Sequence, residues 1–135
     1  SRKNFKRVGL LDYQDALIGH PAYDIASLLK DARRDVSIEV RDIMTNHYLE
    51  KTKHNKDLFL RDYSILSAQR NLKIIGIFSR LSIRDKKKNY VKLIPRVWKN
   101  LENDFMHPDL KNLSKFINAV APYPNVKILK NLSQE

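Results

Sequence analysis

A single apolar strand near the start of the chain constrains its fold more than any other feature. Residues 5–13 (FKRVGLLDY) predict one β-strand, whose apolar content comes from Val8, Leu10 and Leu11. One strand cannot satisfy its own backbone donors and acceptors. The only other candidate strand is the weak pattern of residues 126–129, so we expect a partner upstream of Ser1 and a truncated or divided chain. The alternative is a helical domain that carries a short hairpin.

Nearly everything after the strand has the 3.6-residue period of α-helices. Gly19 and Pro21 predict a loop over residues 14–21, and the residues after Pro122 have no clear pattern. Pro95 falls inside the fourth helical segment, where we expect a kink. The sequence therefore predicts a mainly α fold with one or two short β-strands at its N-terminal end. The predicted helices cover residues 22–35, 37–51, 58–84, 89–105 and 109–121.

Composition narrows the class of protein. The 135 residues suit one domain, and 42% hydrophobic with 30% charged residues indicates a globular chain. The absence of cysteine, of a membrane-spanning apolar run and of a signal-peptide pattern predicts a soluble cytoplasmic protein that does not bind membranes. A net charge of +11 favours anionic partners, or simply reflects a lysine-rich surface. Aromatic residues are not interleaved with the basic ones, which argues against nucleic acid.

Two carboxylates follow the strand. Asp12 ends the apolar segment and Asp15 comes three residues later. Carboxylates of this kind suit Mg²⁺, which takes one or two of them together with the phosphates of a substrate. An Asp at a strand end is also a common turn former or helix cap, so the spacing alone leaves both interpretations open.

A longer string resembles a known family. Residues 11–16 (LDYQDA), the triplet GHP at 19–21 and residues 23–29 (YDIASLL) resemble the metal-binding motif and following helix of the aminoglycoside phosphotransferase-like kinases. That family is related in fold to protein kinases and choline kinases. Residues 69–81 (QRNLKIIGIFSRL) and 90–101 are similar to a bacterial branch that phosphorylates the anomeric hydroxyl of N-acetylmuramate and N-acetylglucosamine in cell-wall (peptidoglycan) recycling.

The resemblance implies a fold, a reaction and three carboxylate roles. The fold would be the helical C-terminal lobe of a protein kinase-like enzyme that uses ATP and Mg²⁺ to phosphorylate a small hydroxylated acceptor. Asp12 would hold Mg²⁺ between the nucleotide phosphates. Asp24 would brace the catalytic loop as a structural residue, and Asp15 would lie near the metal or cap the turn.

The resemblance also divides the chain, which we expect to be a single domain over residues 1–135. Residues 1–21 would form the metal-binding strand and loop, residues 22–121 the helical acceptor-binding subdomain, and residues 122–135 a tail. Three polar side chains on the longest helix would contact the acceptor, and for Gln69 and Arg70 the alternative is ion pairs and caps within the helical bundle. They are Gln69, Arg70 and Asn71.

One catalytic element does not occur in the sequence. The family's His-x-Asp-x-x-x-x-Asn loop, which carries the catalytic base, would lie just before Ser1. We therefore expect the isolated chain to be inactive without an upstream portion or a complementing chain. A non-catalytic basic binding module and a degenerate kinase-like scaffold are the alternative functions. We expect His20 to be exposed without a partner, and Trp98 to lie in the core.

Overall fold

The computed structural model describes residues 17–133, and over that range the chain is helical. The prediction of a mainly α fold is confirmed. The predicted strand, Asp12 and Asp15 lie outside the described residues. The α-helices are α1 (Pro21–Leu29), α2 (Ile38–Thr52), α3 (Lys56–Ile83), α4 (Ile94–Asp104), α5 (Lys111–Val120) and α6 (Val126–Ser133). Two 3₁₀ helices, Lys88–Leu93 and Pro108–Leu110, precede α4 and α5.

Polar side chains fix where α2 and α3 begin. Ser37 Oγ accepts from the Val40 N–H at 3.4 Å, and Asn55 Oδ1 accepts from the Leu58 N–H at 3.0 Å. Each bond satisfies an amide that has no partner within its helix. Lys53 ends α2 in the left-handed conformation, with φ at 57°, and α3 begins at Lys56.

Helix α3 is the central element, and α1, α4 and the first 3₁₀ helix pack along it. Small residues allow the helices to approach α3 closely, since Ala22 and Ala26 of α1 and Ala68 of α3 are at most 1% exposed. Three apolar clusters lie along α3. The first joins α1 and α2 to Phe59, the second surrounds Phe78, and the third joins Ala68 to Leu101 and Leu110.

Three predicted details are wrong. Helix α1 ends at Leu29 instead of residue 35, and Lys30 leaves the helical conformation. Pro95 does not kink a continuous helix, because residues 88–93 form a 3₁₀ helix and Pro95 stands in the first turn of α4, where its missing N–H costs nothing. Residues 126–129 belong to α6, not to a strand.

Helix α6 covers the end of α3. Its Leu129 and Leu132 pack on the second cluster, and Ser82 Oγ of α3 donates to the Leu132 carbonyl at 2.8 Å. Trp98 is buried, as predicted, and its ring N–H donates to Glu102 at 3.1 Å. No helix within residues 17–133 is long and apolar enough to cross a membrane.

Candidate functional site

The start of α1 gathers the polar residues of the family-like string that the structure describes. His20 caps the helix, since its Nδ1 accepts from the Ala22 N–H at 3.2 Å. Its Nε2 lies 3.4 Å from Asp62 Oδ2 on α3. The side chain is 43% exposed, so the expected exposure is partly right, but the expectation that His20 has no partner is wrong.

Asp24 is exposed in the first turn of α1, where a carboxylate is favoured by the helix dipole. Its side chain forms no hydrogen bond or ion pair with residues 17–133. An open hollow of about 720 Å³ lies beside it, with His20, Tyr23 and Lys73 also on its walls. The Asp24 carboxylate is therefore free to accept hydrogen bonds from outside the described part of the chain.

The three polar residues predicted to contact the acceptor point in different directions. Gln69 is exposed, and Arg70 is half-buried with its Nη1 enclosed and without a partner. Asn71 is 1% exposed and donates to Asp104 and Ser67. Successive helical residues are turned by about 100°, so α3 does not bring the three into one site. For Asn71 the contacts favour an internal role instead of the predicted contact with the acceptor.

A buried polar junction joins α1, α3 and α4. We use this name for Lys30, Ser67, Asn71 and Asp104, none more than 7% exposed. The Asp104 carboxylate accepts from Lys30 Nζ, from Ser67 Oγ at 2.7 Å and from Asn71 Nδ2 at 2.8 Å. Lys30 Nζ also lies 4.7 Å from the centre of the Tyr63 ring, within cation–π range.

Burial sets the protonation behaviour of this junction. It raises the pKa of Asp104, although attraction to Lys30 and the hydrogen bonds from Lys30, Ser67 and Asn71 oppose the change. It lowers the pKa of Lys30, against the attraction of Asp104. Burial, followed by the nearby Asp104 charge, raises the pKa of Tyr63 to about 12. The Tyr63 hydroxyl is therefore a neutral hydrogen-bond donor at physiological pH.

A polar cleft opens beside the junction. It consists of two adjoining hollows of about 500 and 170 Å³ that share Ile38, Arg41 and Asn103. We call it the Arg41 cleft. Helices α2, α3 and α4 and the segment before α2 form its walls, and Lys30 and Tyr63 of the junction region line the larger hollow.

Arg41 is held in place at the centre of this cleft. Its Nε donates to the Val36 carbonyl at 2.9 Å, and its Nη1 donates to Asn100 Oδ1 at 3.0 Å. Within residues 17–133, Nη2 has no hydrogen-bond partner. Asn100 is 2% exposed, lines the smaller hollow and has a buried Nδ2 without a partner.

Sequence reasoning missed Lys30, Arg41 and Asp104. Asp104 had a signal, because it lies three and seven residues after Leu101 and Val97 and thus on the buried stripe of α4. A carboxylate on such a stripe needs a buried cation or several donors. Lys30 had no comparable signal, since the helix was expected to continue past it.

The possible metal-ligand side chains of the described part of the chain are dispersed. No cluster of three or more His, Asp or Glu side chains within residues 17–133 could hold a metal ion. His107 and Asp109 repeat the His-x-Asp spacing of a catalytic loop, but the His107 Nδ1 accepts from the Asp109 N–H at 3.3 Å as a helix cap. The predicted Mg²⁺ ligand, Asp12, remains a prediction because it lies outside these residues.

Comparison with known proteins identifies the class. Residues 3–63 match the phosphotransferase enzyme family (APH), a stretch that runs from the predicted strand through α1 and α2 into α3. The resemblance to this family drawn from residues 11–29 is therefore confirmed.

The relatives extend the likeness beyond that stretch. The chain is 40% identical over 122 residues, 90% of its length, to an N-acetylmuramate/N-acetylglucosamine kinase of Caulobacter vibrioides. Kinases of the same name from Neisseria meningitidis serogroup B and Pseudomonas aeruginosa are 40% identical over 97 residues and 34% identical over 120 residues. These matches cover 67% and 83% of the chain.

The chain spans about a third of the length of these relatives. The matched stretches make up 34%, 29% and 36% of the Caulobacter, Neisseria and Pseudomonas proteins. The likeness therefore concerns the helical region that the structure describes and the short segment before it. The activity of the whole kinases is therefore only proposed for this chain.

Proposed function

We propose that this chain is the helical, acceptor-binding lobe of an ATP-dependent phosphotransferase whose acceptor is a cell-wall amino sugar. The single observation that carries the proposal is the 40% identity to a kinase of N-acetylmuramate and N-acetylglucosamine along 90% of the chain. Identity at that level includes α4 and the greater part of α3, which lie after the family match at residues 3–63. The likeness thus extends beyond the proposed metal-binding string into the part of the chain that would bind the acceptor. The proposal includes a cytoplasmic location and a role in peptidoglycan recycling.

The residue roles follow the family motif. Asp12 would hold Mg²⁺ between the nucleotide phosphates, and Asp15 would lie near the metal or cap the turn. Asp24 would accept backbone hydrogen bonds from the catalytic loop, and its exposed carboxylate, which has no partner within residues 17–133, supports that role. Residues 1–21 would thus form the metal-binding part, residues 22–121 the acceptor-binding part and residues 122–135 the tail.

The reaction would move the γ-phosphoryl group of ATP to a hydroxyl oxygen of the sugar. The bond between the γ-phosphorus and the bridging oxygen breaks, ADP leaves, and the hydroxyl proton passes to a base. When bound, Mg²⁺ would neutralise charge on the phosphates. The base would come from a segment outside this sequence, supplied upstream or by another chain.

A phosphoryl-transfer assay tests the proposal. A longer chain that includes the segment upstream of Ser1 should convert ATP and N-acetylglucosamine to ADP and sugar phosphate, whereas the 135 residues alone should not. Asp12→Ala should abolish turnover, and the matched change Asp109→Ala, at an exposed position of the second 3₁₀ helix, should leave it unchanged. Unchanged turnover in Asp12→Ala would refute the metal role. No turnover by the longer chain would favour a degenerate kinase-like scaffold.

A further inference from the structure

The Arg41 cleft carries an excess of positive charge that the described residues do not neutralise. Two carboxylates, Asp35 and Asp42, also line it. Except for Lys30, which pairs with Asp104, none of the cationic groups forms an ion pair within residues 17–133. The cationic side chains on the walls are Lys30, Arg41, Lys56, Arg96 and Lys99. Charges gathered in a concave polar surface raise the local concentration of an anionic ligand.

Arg41 is organised for such a ligand. The bonds to Val36 and Asn100 fix the plane of its guanidinium, and the unpartnered Nη2 leaves donors for an anion. A fixed guanidinium loses little side-chain entropy on binding and matches the two oxygens of a carboxylate. Arg96 is also anchored, because its Nη1 donates to the Ala32 carbonyl at 3.1 Å.

The rest of the cleft suits a polyhydroxylated molecule. Thr45, Asn46, Tyr63 and Asn103 bring hydroxyl and amide groups to the same walls, and the larger hollow of about 500 Å³ has the size of a small-ligand site. Tyr63 stays protonated, as its raised pKa of about 12 requires, so its hydroxyl can donate. Leu60 and Ile38 supply apolar surface for the face of a sugar ring.

We propose that the Arg41 cleft binds the carboxylate of an acidic amino sugar and that Arg41 is the specificity-determining residue. N-acetylmuramate carries a lactyl carboxylate that N-acetylglucosamine lacks. The guanidinium would bind that carboxylate, so the cleft would favour the acidic sugar over the neutral one. The choice of sugar rests on the proposed function, whereas the preference for an anion rests on the charges of the cleft.

Direct binding to the purified 135-residue chain tests this inference without any kinase activity. Calorimetric titration with N-acetylmuramate and N-acetylglucosamine should show at least a tenfold preference for the acidic sugar. Arg41→Met should weaken N-acetylmuramate binding by roughly tenfold to a hundredfold, the usual range for a lost hydrogen bond to a charged group, and leave N-acetylglucosamine binding within about twofold. Thermal unfolding would verify that the variant is folded.

A matched control separates the site from net charge. Arg34→Met removes the same charge from an exposed position that lines neither hollow, and it should leave both affinities unchanged. If Arg41→Met does not fold, Lys99→Met tests the same cleft from an exposed position and should weaken N-acetylmuramate alone. Equal losses in Arg34→Met would overturn the proposal.

Three other results would also overturn it. They are equal affinity for the two sugars, no binding of either sugar by the folded chain, and displacement of N-acetylmuramate by equimolar inorganic phosphate, which would indicate a general anion site. This test is separate from the test of the proposed function. The proposed function fails if the longer chain transfers no phosphoryl group, and that result would leave the affinities measured on the 135-residue chain unchanged.

Discussion

Two cation–carboxylate pairs in this protein have the same chemistry and opposite surroundings. In the buried junction, Lys30 and Asp104 are 7% and 1% exposed, and the carboxylate accepts two further hydrogen bonds. At the end of α3, Arg84 and Asp85 are sequence neighbours whose side chains are 66% and 27% exposed. The comparison teaches that burial and additional hydrogen-bond donors decide how much such a pair contributes to folding stability, because water competes for the charges of an exposed pair.

Protonation reports the same contrast. In the exposed pair, the hydrogen bond from Arg84 holds the pKa of Asp85 below its usual range. In the junction, desolvation prevails and raises the pKa of Asp104. An exposed partner thus favours the charged carboxylate, whereas burial disfavours the charge even when a cation is in contact with it.

The largest loss of stability is expected for Asp104→Ala, which tests the contribution of the buried pair. It leaves the Lys30 ammonium buried without a counter-charge and removes the acceptor of Ser67 and Asn71. We expect the free energy of unfolding to fall by about 3–5 kcal/mol, measured by urea denaturation at pH 7 with circular dichroism. Asp85→Ala is the matched control and should not shift the midpoint. A loss below about 1 kcal/mol for Asp104→Ala would contradict the role of the junction.

A smaller effect is expected for Lys30→Met, because Ser67 and Asn71 still donate to the carboxylate. The loss should be about 3 kcal/mol at pH 8. Without the Lys30 charge, we expect the pKa of Asp104 to rise further in the folded protein. A carboxyl group whose pKa is higher in the folded than in the unfolded state makes the protein less stable as the pH rises from the unfolded-state pKa to the folded-state pKa. The penalty should therefore be smaller at pH 5 than at pH 8.

Paired urea denaturation series at pH 5 and pH 8 check this sign. The control combines Lys30→Met with Asp104→Asn, where the carboxyl group is absent and the difference between the two pH values should disappear. A Lys30→Met penalty that is larger at pH 5 would show that the Asp104 pKa does not rise when its partner is removed.

The smallest effect belongs to Arg84→Ala. Both members of this pair are at the surface, and their bonds at 2.7 and 3.2 Å are made in contact with water. We expect no measurable shift of the urea midpoint, at either low or high salt, in a denaturation series run beside Asp104→Ala. A loss comparable to that of Asp104→Ala would mean that exposure does not govern the difference between the pairs.

Much of the fold could be predicted because it depends on local patterns. The caps at Ser37 and Asn55 and the apolar period of α3 lie in continuous sequence, and the predicted starts and ends of α2 and α3 differ by at most two residues from those observed. The end of α1 could not be predicted so well. Lys30 leaves the helix and contacts Asp104, 74 residues away, and nothing near Lys30 in the sequence indicates that partner.

The candidate site divides in the same way. The string around Asp24 is contiguous, so a family resemblance could reveal it. The Arg41 cleft combines α2, α3 and α4, and nothing near Arg41 in the sequence indicates that Val36 and Asn100 hold its guanidinium. Asn71 shows the converse, since a polar residue that suggested a ligand contact is already engaged by Asp104.

The way α6 lies on α3 bears on where this protein can be shortened. The residues after Pro122 have no pattern that would discourage removing them, yet Leu129 and Leu132 cover the cluster around Phe78. A chain ended before α6 would expose that cluster to water and leave the Ser82 hydroxyl without its acceptor. For expression or crystallisation of this region, the last helix should therefore be kept, because it covers part of the apolar core.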